Sequence, residues 1–122
     1  MDRAQRREDS PLRCDETVLE FIGTDARLAA TVRLPARTMF WSDGHFDPGE
    51  SFAQHEAFFA RLGERSQQFQ GAGPGAENAL ELLEDAWQEL DARFEIRIRG
   101  SDERPTHLGL HLDGDRASVR WL

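Results

Sequence analysis

The sequence predicts an α+β fold: an antiparallel sheet built from an N-terminal meander and C-terminal strands, with two amphipathic helices packed on one face. Three observations carry this expectation. Apolar residues alternate with polar ones towards both ends of the chain, they recur at three- and four-residue steps in its middle, and Gly/Pro-rich breaks separate the two regimes.

Residues 1–13 are polar, charged and poor in large apolar side chains, so they read as a disordered tail ahead of a single domain over 14–122. Residues 16–22 read as a strand. Gly23-Thr24-Asp25 reads as a turn, and 27–34 as a second strand with Leu28, Ala30, Val32 and Leu34 on one face before Pro35. A shorter strand over 38–41 completes the meander. Asp47-Pro48-Gly49-Glu50 has the form of a helix start, with Asp47 as N-cap, Pro48 at N1 and Glu50 at N3, which opens a helix over about 48–68. Its apolar stripe is Phe52, Phe59, Leu62 and Phe69, with His55 on it and Phe58 beside it. After the breaker Gly71–Ala76, a second helix is expected over about 77–90. Leu80, Leu83, Trp87 and Leu90 form its inner face, and acidic residues near its C-terminus oppose the dipole and favour fraying there. Alternation returns over 93–99, 107–112 and 117–122, with a hairpin turn at Asp113-Gly114-Asp115.

At 122 residues the chain can bury a core without staples, and eight Phe and three Trp supply large apolar surfaces for it. The single cysteine, Cys14, forms no internal disulfide and suits a reducing compartment. With no apolar leader at the N-terminus and no apolar run of about 18 residues, the expected location is cytoplasmic, with no membrane partner. Charge is unevenly placed. Residues 43–91 carry eleven acids against two Arg, whereas 1–42 balance and 92–122 carry one excess positive charge, so the middle holds essentially all of the net −8. Such a field attracts basic partners and repels nucleic acid, which is therefore not an expected ligand.

Motifs for chemistry are sparse. Asp43, His45, Asp47, Glu50 and His55 offer oxygen and nitrogen donors, but Pro48 stands where a calcium loop needs glycine, and the spacing that puts two imidazoles on one helical face is missing. The Gly71–Gly75 cluster lacks the Lys-Ser/Thr of a phosphate loop. No nucleophile elbow is present. No catalytic residue, metal ligand or cofactor is therefore assigned. Arg93, Arg97, Arg99, His107, His111 and Arg120 are expected on the outer face of the C-terminal strands. A last strand at the sheet edge would offer a pairing surface for a second copy, so homo-oligomer formation stays open.

The helix Phe52…Phe59-x-x-Leu62, then Trp87, Phe94-x-Ile-x-Ile98 and His107-Leu-Gly-Leu-x-Leu112 follow one another in an order that resembles small bacterial immunity- and antitoxin-like proteins, over about residues 17–122. The segment 77–90 departs from that pattern. The resemblance implies a protein that binds and blocks a partner, and it identifies no catalytic residues; with the acidic helices, the expected partner is a basic protein such as a toxin. On this reading Glu77, Glu81, Glu84, Asp85 and Glu89 cover the partner's cationic surface, and the aromatics Trp41 and Phe46 anchor it. Two other readings use the same residues differently: a metal-dependent enzyme built on Asp43, His45, Asp47 and His55, and an acidic nucleic-acid mimic that inhibits a DNA-binding protein.

Overall fold

The computed structural model describes residues 16–35 and 41–121. The tail 1–13, Cys14, Leu122 and most of the strand expected over 38–41 lie outside the described residues. Six strands form one antiparallel sheet: β1 (Thr17–Ile22), β2 (Leu28–Leu34), β3 (Ser42–Pro48), β4 (Glu95–Ile98), β5 (Gly109–Asp113) and β6 (Arg116–Arg120). Two helices follow β3, namely α1 (Glu56–Gln70) and α2 (Ala76–Arg93), each entered through a short 3-10 turn. The strand order is β4-β1-β2-β3-β6-β5. The meander therefore forms the centre, β4 adds beside β1, and the β5–β6 hairpin adds beside β3.

Period-2 alternation explains which side faces in. Leu19 and Phe21 from β1, Val32 and Leu34 from β2, Ile96 and Ile98 from β4, Leu110 and Leu112 from β5, and Ala117 and Val119 from β6 are all buried. The helices lay Phe58, Phe59, Leu62, Leu83, Ala86 and Leu90 on them. Phe59 is the hub: its ring stacks on Phe52 at 5.7 Å and Phe94 at 5.5 Å, and meets Phe21 edge-on at 6.4 Å.

Three expectations need correction. First, Asp47-Pro48-Gly49-Glu50 does not start a helix. Residues 42–48 are a strand between β2 and β6, with Val32 opposite Phe46 and Ser42 opposite Val119. Two flanking ladders satisfy its backbone, which outweighs a local capping signal. The helix begins later, through the turn Phe52–His55, without a side-chain cap. Second, α2 is longer than expected and reaches Arg93, whose cation in the last turn offsets the acids there. Third, the last strand is not an edge. β6 lies inside the sheet, and β5 takes the edge position.

That edge is closed by the helices. The hairpin register, with Asp113 opposite Arg116, points the backbone groups of Leu110 and Leu112 outward. Trp87 Nε1 donates to the Leu110 carbonyl at 2.8 Å, the Leu112 amide donates to Ser66 Oγ at 3.2 Å, and Gln67 Nε2 donates to the Leu112 carbonyl at 3.5 Å. Ser66 is fully buried and passes its own proton to the Leu62 carbonyl. An edge strand capped in this way offers no template for another chain.

Candidate functional site

The helix layer turns its charges in two directions. Among the described residues, its three arginines point along the helix–helix seam. Arg61 and Arg93 both grip Glu89, at 2.9 and 2.7 Å, and lie over the Phe58 ring at 5.7 and 4.8 Å. Arg65 donates to the Leu82 carbonyl at 3.0 Å. The Arg93 hydrogen bond, helped by Arg61 and opposed by partial burial, holds the Glu89 carboxyl below its usual value. Glu89 is thus a structural clasp between α1 and α2. Its expected place on an open partner surface is corrected: the helix face it occupies is the seam.

Glu77, Glu81, Glu84 and Asp85 stand differently. All four are exposed on α2, and none has an ion pair among the described residues. Asp91 joins them in the last turn of the helix, likewise exposed and without an ion pair among the described residues. Steps of three and four put these carboxylates on one stripe, about 21 Å long at 1.5 Å per residue. Glu77–Glu81 and Glu81–Asp85 are like-charge neighbours at i,i+4, each costing the helix about 0.2–0.5 kcal/mol. Leu82, the one exposed large apolar side chain among the described residues, lies off this stripe, two turns before Glu89 on the seam side of α2.

The stripe runs beside a cleft of about 360 Å³ lined by Glu84, Trp87, Gln88, Asp91, His107, Leu108 and Arg120. Trp87 is half-buried and held rigidly. Its indole nitrogen is spent on Leu110, and its ring meets Trp41 at 6.0 Å and His111 at 5.7 Å. Gly109 makes room for this cluster, since a Cβ there would come within 2.8 Å of the Trp41 ring and 3.4 Å of Trp87. Burial among these rings lowers the pKa of His111 and favours its neutral form.

The expected anchors separate. Phe46 is 7% exposed and packs at 5.2 Å against Phe59, so it belongs to the core and not to a docking surface, because its strand position points it inward. Trp41 is half-buried, with its ring against His111 at 4.7 Å and the Arg120 guanidinium over it at 5.2 Å. It touches the cleft through two of its lining residues, Trp87 and Arg120.

The donors of the metal reading do not converge. Asp43, His45 and Asp47 follow one another along the outer face of β3, where Asp47 pairs with Arg33 at 2.9 Å and His45 at 3.3 Å. His55 sits at the β1–β2 turn, 4.7 Å from the Phe94 ring. No group of three or more His, Cys, Asp or Glu among the described residues could hold a metal ion. Asp43, Ser118 and His111 do line up across three strands, with Ser118 donating to Asp43, but His111, whose Nδ1 is buried without a hydrogen-bond partner, is bonded to neither among the described residues.

Sequence reasoning identified the acidic stripe through its helical spacing. It missed Asp91, which falls beyond the expected helix end, and the pairing of Glu89, which depends on how two helices dock. No helix among the described residues is long and apolar enough to cross a membrane. No family model, curated protein or solved structure matches the chain.

Proposed function

We propose that this protein is a non-catalytic binding module that holds a basic protein partner on the acidic ridge of α2, in the manner of an immunity or antitoxin protein. The observation that carries the reading is the split among the helix-layer charges. The three helix arginines lie along the seam, while Glu77, Glu81, Glu84, Asp85 and Asp91 stay exposed, mutually repulsive and without an ion pair among the described residues. Such a ridge weakens its own helix. A cationic surface laid on it would relieve the repulsion and be steered to it from a distance. Leu82, exposed on the seam side of α2, supplies an apolar contact for the same partner.

The test compares the wild type with the variant carrying Glu77→Gln, Glu81→Gln, Glu84→Gln and Asp85→Asn as baits in the source cell extract. The reading expects a basic protein that the wild type retains, the variant loses and salt elutes. Equal retention by both baits would contradict it. A captured DNA-binding protein that free DNA displaces would move the reading to nucleic-acid mimicry.

A further inference from the structure

We infer that the cleft beside α2 is the pocket that receives an arginine side chain of the partner, stacked on Trp87 between Glu84 and Asp91. This rests on the basic-partner reading above and says where its specificity resides. Trp87 lies between the two carboxylates on α2, three residues after Glu84 and four before Asp91, so all three share the helix face that forms one wall of the cleft. The carboxylates stand about 10.5 Å apart along the axis, one on each side of the indole. A guanidinium is planar, stacks on an indole face, and presents a fork of donors that matches a carboxylate. A lysine ammonium offers a point charge and no plane, so the cleft favours arginine.

Two further observations fit that occupant. The indole is already fixed by its bond to the Leu110 carbonyl and its contacts with Trp41 and His111, so receiving a flat cation costs little further ordering. The lining has two carboxylates against one guanidinium, and that guanidinium, Arg120, already rests on Trp41. The same aromatic cluster therefore holds one arginine of its own, while Glu84 and Asp91 have no ion pair among the described residues.

The probe is acetyl-tetraarginine amide, titrated at low salt into the isotope-labelled full chain and followed by the indole N–H signals of Trp87, Trp41 and Trp121. We expect a saturable shift of the Trp87 signal, tetralysine binding more weakly, and an affinity about ten-fold lower in the double variant Glu84→Gln/Asp91→Asn than in Glu77→Gln/Glu81→Gln. If tetraarginine binds while Trp87 stays silent and the two double variants lose affinity equally, the arginine pocket is overturned and the acidic ridge survives. If tetraarginine shows no saturable binding to the wild type, the pocket and the basic-partner reading fall together.

Discussion

The outer surface of the helices and the outer surface of the sheet are both crowded with charge, and they treat it in opposite ways. On the sheet, acids and arginines neutralise one another: Arg33 with Asp47, Arg99 with Glu20, and Arg97 and Arg104 with Glu95. Arg97 donates to Glu95 at 2.8 Å and holds its carboxyl below the usual value. On α2, among the described residues, only Glu89 is treated that way, while the outward stripe has no counter-ions there. Both surfaces rest on one core, and the difference follows the uneven placement of charge along the chain, in which residues 43–91 hold eleven acids against two Arg. Exposed pairs are each worth only about 0–1 kcal/mol, so neither arrangement is needed to hold the fold. The sheet's charges make a neutral solvated face. Those of α2 make a field.

The widest break in that comparison removes what the two surfaces share. Phe59→Ala deletes the hub ring between helices and sheet and should cost about 3–5 kcal/mol, with helix and sheet signals lost in a single denaturant transition. Two separate transitions would mean that the layers are independent and the comparison misplaced. Ser66→Ala comes next. It strands the Leu112 amide at the buried seam between α1 and β5 and should cost about 1–3 kcal/mol, read as a lower urea midpoint at unchanged slope.

Glu89→Gln sharpens the contrast within α2 itself. Losing the clasp to Arg61 and Arg93 should cost about 1 kcal/mol at neutral pH. Because the fold holds Glu89 more acidic than the unfolded chain does, its contribution is complete above its ordinary value of 4.5 and fades as pH falls through the lower folded value. The stability curves of wild type and variant should therefore converge on acidification. A constant gap down to strongly acidic pH would show that the charge is not what matters. Glu81→Gln is the smallest change and has the opposite sign. Removing two repulsive i,i+4 neighbours should stabilise by about 0.4–1 kcal/mol at low salt, and a loss of stability would reveal an unrecognised structural role.

Much of this arrangement is legible in the sequence, for reasons that differ by element. β1, β2 and the β5–β6 hairpin can be read from alternation and from Asp113-Gly114-Asp115, where Gly114 takes a positive φ of 63°. The outward stripe of α2 follows from spacing alone. β3 resists reading. Ser-Asp-Gly-His-Phe-Asp-Pro has little strand propensity and mimics a helix cap, and it becomes a strand because β2 and β6 flank it. Phe46 looks like a free aromatic until that strand assigns it to the core. Glu89 and Trp87 depend on docking between distant segments: one clasps α1, and the other reaches the backbone of an edge strand 23 residues later. No local pattern encodes either contact.

The account depends on the exposed carboxylates of α2 being retained against the interest of the fold. Urea denaturation of the wild type and of the Glu77→Gln, Glu81→Gln, Glu84→Gln, Asp85→Asn variant, at low and at high salt, measures this directly. The variant is predicted to be the more stable protein at low salt, and the gap is predicted to close as salt screens the wild-type repulsion. A variant less stable than the wild type at low salt would show that these acids support the domain, and the argument for a cationic partner would lose its ground.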